Sequence, residues 1–160
     1  MALALFAKNG KEKMLVNYFQ DETERVLADW DGTISLRSVP GKLDWKAITE
    51  PLPCGDGWIL PSFEYDGSSS GIFGFLVPKW RHPIASGRHD YRNYLLRQMI
   101  AEGMSWKEAQ VLRKISDQLY RKDILIGQEN KYRAKIESFA GYYGTRAGAF
   151  LRIGMRPRKT

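Results

Sequence analysis

Residues 64–96 read EYDGSSSGIFGFLVPKWRHPIASGRHDYRNYLL, and the fold class turns on them. A Gly/Ser-rich loop and a Pro-interrupted apolar run lead into a segment with helical spacing, in which Tyr91, Tyr94, Leu95 and Met99 fall on one face. Upstream, from about Lys13 to Trp80, the chain is strand-and-turn material. MLVNYF, RVLADW and TISLRSV are short runs rich in β-formers, and Asp31-Gly32 is a turn signal between the last two. DWKAITEPLP and WILPSFEY continue the pattern across a CGDG turn, while Pro51, Pro53 and Pro61 confine these pieces to edges or irregular stretches. A small antiparallel sheet with long loops is expected.

Downstream of Ser86 the pattern predicts three helices. The first runs from about Arg88 to Ala101, with Gly103 just past its end. The second starts at SWKE, where Ser105 and Glu108 have the spacing of a capping box, and its buried face is expected at Val111, Leu112, Ile115 and Leu119. The third spans roughly Gln128 to Ile153, with Tyr132, Ile136, Phe139, Tyr143, Phe150 and Leu151 as packing residues. Gly141, Gly144 and Gly148, with Ala140 and Ala147, add a smooth stripe to it. Each glycine costs about 1 kcal/mol of helix stability relative to alanine, so another helix should approach closely there, within the subunit or between subunits. Arg146 and Arg152 break the apolar stretch that a membrane dimer motif needs, so the packing is of the soluble kind. The expected architecture is α+β, a small antiparallel sheet followed by three helices. It forms one domain over residues 1–151, with an N-terminal arm at 1–12 and a basic tail at 152–160.

With 160 residues, 43% of them hydrophobic and 12% aromatic, the chain can bury a core, which argues against disorder. The net charge of +7 suits nucleic acid, an anionic surface or an acidic protein neighbour, and equally suits solubility alone. Cys54 is the single cysteine, which excludes an intrachain disulfide and a cysteine-based zinc site. The opening MALALF stops at Lys8, too short for a signal-peptide core or a membrane span, so synthesis in a cytoplasm is expected.

The chemistry-bearing residues gather in and after the quoted window. His89-Asp90 falls near the start of the first expected helix, after the loop that carries Asp66, Gly67, Ser68, Ser69 and Gly71. Asp117 sits in the second helix among Arg113, Lys114 and Arg121, and antiparallel packing would bring it to the His89 ring. A carboxylate that orients a histidine lets the ring take a proton from water. Asp90, with Asp66 and loop carbonyls, could hold a hard cation such as calcium. The bland alternative gives Asp90 to the helix dipole and places His89, Asp90 and Asp66 in a buried hydrogen-bond network. His82 also suggests an H…HD…D metal site. That site takes its first histidine from a separate, earlier helix, which Pro83, Ser86 and Gly87 do not allow.

The order of loop, His-Asp at a helix start and later helical Asp resembles secreted phospholipases A2 and the lipase domains of some small viral capsid proteins. The secreted enzymes' disulfides are missing here, and the viral domains do without them. A closer resemblance covers about Leu43 to Gly154. DWKAITEPLP, GWILPSFEYDGSSSG, RHDYRNYLL, SDQLYRKDIL and the small-residue run GYYGTRAGAF follow one another as in the phage and prophage family called domain of unknown function 1353. The resemblance implies a phage origin and places the family's polar pattern on Asp66, Ser68, Ser69, His89, Asp90 and Asp117. Two departures bear on inherited chemistry. Arg92 and Asn93 stand where the family tends to have Leu and Tyr, and Gly71 stands where Pro often follows the serines.

Three functions from different classes are expected. The first is a virion-associated accessory or structural protein of a tailed phage, in head, neck, tail or baseplate. Its partners would be other phage structural proteins and further copies of itself. The second is a calcium-dependent hydrolase of lipid or cell envelope, with His89 as base and Asp117 as its orienter. The third is nucleic-acid or partner binding through Arg152, Arg156, Arg158 and Lys159.

Overall fold

The β-forming runs between Ser35 and Asp66 become five short strands in the computed structural model, which describes residues 17–67, 73, 75–126 and 128–150, the side chains of 148–150 excepted. They are β1 (Leu36–Ser38), β2 (Lys46–Ile48), β3 (Leu52–Cys54), β4 (Gly57–Ile59) and β5 (Glu64–Tyr65). β2 lies between β1 and β5, antiparallel to both, with Leu36 opposite Ile48 and Lys46 opposite Tyr65. β3 and β4 form a separate antiparallel hairpin around Gly55-Asp56. Gly55 has φ +62°, and a Cβ on it would lie 1.8 Å from the Asn17 carbonyl oxygen. Only glycine fits this tip, because the N-terminal segment crosses it there.

One expected strand is a helix. RVLADW forms α1 (Glu24–Ala28), capped by the Thr23 hydroxyl, which accepts from the Val26 N–H at 3.3 Å. The cap and the burial of Val26 outweigh the residues' β-propensity. Of MLVNYF only Asn17–Phe19 is described, a single 3-10 turn that buries Phe19.

Three long helices follow: α2 (Pro83–Ala101), α3 (Trp106–Leu125) and α4 (Lys131–Phe150). α2 begins at Pro83 rather than near Arg88, since proline's fixed φ suits the first helical turn. His89 and Asp90 therefore lie beyond the first turn, and the dipole argument for Asp90 lapses. α3 starts at the expected capping box: the Ser105 hydroxyl accepts from the Glu108 N–H at 3.2 Å, and the Ser105 N–H donates to the Glu108 carboxylate at 3.0 Å.

Ile48, Leu52, Cys54, Ile59 and Tyr65 form the core between the strands and α2. Phe19, Leu96 and Leu112 form a second cluster. The faces of α3 and α4 differ from expectation. On α3 the buried residues are Ala109, Leu112, Arg113, Ser116, Asp117, Tyr120 and Ile124, whereas Val111 is exposed. On α4, Ala134, Glu137, Ser138, Ala140 and Thr145 are buried, and Tyr132, Ile136, Phe139 and Tyr143 face outward. The cause is the closeness of α3: a Cβ at Gly141 would lie 3.0 Å from Tyr120 Cε1 and 3.1 Å from Ile124 Cδ1. At Gly141 the small residue therefore serves packing within the subunit, and a bulky one cannot occupy that position without displacing α3. The arm at 1–12, Leu151 and the tail at 152–160 lie outside the described residues, as does the Phe150 side chain. Among the described residues no helix is long and apolar enough to cross a membrane.

Candidate functional site at the three-helix junction

β5 delivers the quoted loop onto the start of α2. The Tyr65 hydroxyl donates to the Pro83 carbonyl at 2.9 Å, and a Cβ on Gly87 would meet Tyr65 Cζ at 3.3 Å. Gly67, at φ +81°, presses against Lys79 and Trp80, where a Cβ would lie 2.6 Å from the Lys79 carbonyl oxygen. Asp66 thus sits near the first turns of α2, close enough for its charge to act on Asp90. Ser68, Ser69 and Gly71 lie outside the described residues.

His89 and Asp117 come together as the sequence suggested. His89 Nε2 is 2.8 Å from Asp117 Oδ1, and the Asp117 side chain is completely buried. Asp90 Oδ1 lies 3.7 Å from the other ring nitrogen, Nδ1. The Tyr120 ring covers the imidazole at 4.8 Å between centroids, and the Asn93 amide is 3.3 Å from Nδ1. Two partners of Asp117 were not anticipated. Arg113 Nε approaches Oδ1 at 3.4 Å, and Arg146 Nη1 donates to Oδ2 at 3.2 Å. Arg113 was legible as an (i, i+4) pair with Asp117, whereas Arg146 comes from another helix and carried no local signal.

Burial opposes the His89 charge, but the hydrogen bond to Asp117 and the contact with Asp90 outweigh it and raise the ring above its ordinary pKa. Burial would likewise raise Asp117, and the His89 bond with Arg113 and Arg146 holds it below the usual carboxylate range. Burial raises Asp90, against the pull of His89, and the Asp66 charge adds to the rise. The upward shift of His89 and the downward shift of Asp117 both favour the charged pair.

A second imidazole–carboxylate pair was missed. His82 Nε2 lies 2.6 Å from Glu137 Oε2, both buried, and Arg133 Nε donates to Glu137 Oε1 at 2.7 Å. Here burial prevails over the Glu137 bond and lowers the His82 pKa, with Arg81 and Arg133 adding to the effect. A third buried group joins Arg88 and Arg92 of α2 to Glu22 and to Asp123 of α3, with Arg88 Nη1 3.0 Å from Asp123 Oδ1. Arg92 is wholly buried, and its Nε donates to the Tyr18 carbonyl at 2.7 Å.

Among the described residues no three His, Cys, Asp or Glu side chains are grouped so as to hold a metal ion. The loop carbonyls expected to complete a calcium site with Asp90 and Asp66 lie outside the described residues. Arg152, Arg156, Arg158 and Lys159 also fall outside the described residues. The fold and the junction define an α+β protein whose three helices bury ion-paired side chains between them. Compared with protein-family models, with curated proteins and with solved structures, the chain gives no match.

Proposed function

We propose that this chain is an accessory structural component of a tailed phage particle, holding its neighbours through the outer face of α4. One observation carries this reading. Tyr132, Ile136, Phe139 and Tyr143 are 78%, 43%, 52% and 46% exposed on a helix whose inner face is built of small and polar residues. Large apolar side chains aligned on the outside of a helix mark a surface meant to be covered. The motif order shared with the phage family supports the setting, a virion assembled from proteins made in the host cytoplasm. Mass spectrometry of purified particles is expected to find the chain at a fixed copy number. Its presence in infected cells but not in particles would refute the reading.

The second reading is a hydrolase with His89 as base, and the 2.8 Å contact between His89 and Asp117 favours it. Against it stands the raised pKa of His89, since a base must first be unprotonated. This reading expects calcium-dependent ester hydrolysis that His89→Gln abolishes. Loss of stability in that variant, with no hydrolysis by the parent protein, leaves the site a structural one.

A further inference from the structure

The outward stripe on α4 has a charge pattern that restricts what can cover it. Tyr132, Ile136, Phe139 and Tyr143 are spaced by four, three and four residues, a heptad seam about 16 Å long. The rings form a prebuilt ridge: Phe139 and Tyr143 are 4.4 Å apart between centroids, and Tyr142 meets Tyr143 edge-on at 5.2 Å. Lys131, Arg133 and Lys135 flank the first half, and Arg121 of α3 lies over the Phe139 ring at 5.6 Å. The one acid on α4 is Glu137, which faces inward and is buried.

Cations in the first turn of a helix face the positive end of its dipole, so Lys131 and Arg133 are disfavoured there unless an anion approaches. Arg133 has Glu137. Lys131 and Lys135 have no ion pair among the described residues. A second copy would set like charges against like. The chain's own ends are no better suited: residues 1–16 carry Lys8, Lys11 and Lys13 against Glu12, and residues 151–160 carry Arg152, Arg156, Arg158 and Lys159 with no acid. Nucleic acid would supply charge, but rings packed on one another are poorly placed to stack on bases. An anionic bilayer would supply charge too, yet a narrow seam suits a helix better than a broad surface does.

We infer that the outer face of α4 receives an amphipathic helix of another protein, with an apolar seam flanked by Glu or Asp. This inference names the chemistry of the partner and rests on the assembly reading above. Two fluorescent helical peptides test it on the full chain, both with a leucine seam, one flanked by Glu and the other by Lys. The Glu peptide is expected to bind at least about tenfold more tightly and to weaken as salt is raised. Phe139→Ser is expected to reduce that binding by about tenfold or more with the helical circular dichroism spectrum retained, since Phe139 is 52% exposed. Equal binding of the two peptides, or indifference to Phe139→Ser, overturns the inference. So does displacement of the Glu peptide by phosphatidylglycerol vesicles or a single-stranded oligonucleotide, or concentration-dependent dimerisation of the chain that Phe139→Ser abolishes. If particles contain the chain but the peptides do not discriminate, only the partner chemistry falls. If the Glu peptide binds as expected but particles lack the chain, the assembly reading falls instead.

Discussion

Asp117 and Glu137 each lie within hydrogen-bond distance of a buried histidine, yet the two rings are pushed in opposite directions. At His89 the acceptors Asp117 and Asp90 outweigh burial, so the folded protein binds this proton more tightly than the unfolded chain does. Its contribution to stability is complete below the ordinary histidine value of about 6.5 and is lost as pH rises through the higher folded pKa. His82 has the opposite sign. Burial makes the folded state resist that proton, so stability gains as pH rises from the lowered folded pKa to about 6.5. Asp117, held low, loses its contribution as pH falls through its folded pKa. The chain has two histidines, so NMR titration of the ring protons can separate them. His89 is expected to titrate above about 6.5 and His82 below it. Two rings titrating together would show that the charged surroundings cancel. The His-Asp dipeptide and the Arg113 to Asp117 spacing were readable one residue at a time. The lowered pKa of His82 was not, because the burial that causes it comes from tertiary packing, and its carboxylate neighbour Glu137 lies 55 positions away.

At the scale of elements, local chemistry was legible at the start of α3 but not at α1, where the Thr23 cap begins a helix on a run that reads as a strand. The capping box at Ser105 and Glu108 starts α3 where the pattern placed it. Pro83 begins α2 for an equally local reason, although apolar periodicity alone pointed to a later start. Periodicity misled on α4, where the regular apolar stripe is the outer face. Gly141 shows why: a side chain there must displace Tyr120 and Ile124 of α3. Gly141→Leu is therefore expected to destabilise the fold by about 1–3 kcal/mol, despite leucine's better helix propensity. Urea denaturation measures this, and an unchanged or higher midpoint would show that α3 and α4 can move apart without loss.

Across the whole molecule, Asp117 is the carboxylate at which three helices meet: His89 reaches it from α2, Arg113 from α3 itself and Arg146 from α4. Breaking such a buried group by removing one partner leaves charges without a counterpart. Asp117→Asn should cost about 3–5 kcal/mol, read as a lower denaturant midpoint with an unchanged slope. A loss below about 0.5 kcal/mol, the range of surface substitutions, would mean that the cluster is dispensable to the fold. Glu22 and Asp123 form a further buried group, in which Arg88 and Arg92 of α2 bind the N-terminal segment to α3.

Residue order alone determined the succession of sheet and helices, the α3 cap and the pairing of His89 with Asp117. These follow from backbone geometry and from side chains a few positions apart, with one guess about antiparallel packing. Only the tertiary structure decided which side of α4 is covered, which guanidinium groups neutralise Asp117, and that His82 has a carboxylate partner. Long-range contact sets these, because a helix specifies its faces by spacing while its neighbours choose the one they bury. Here the neighbour came so close that small and charged residues were enclosed and the aromatic ones left outside.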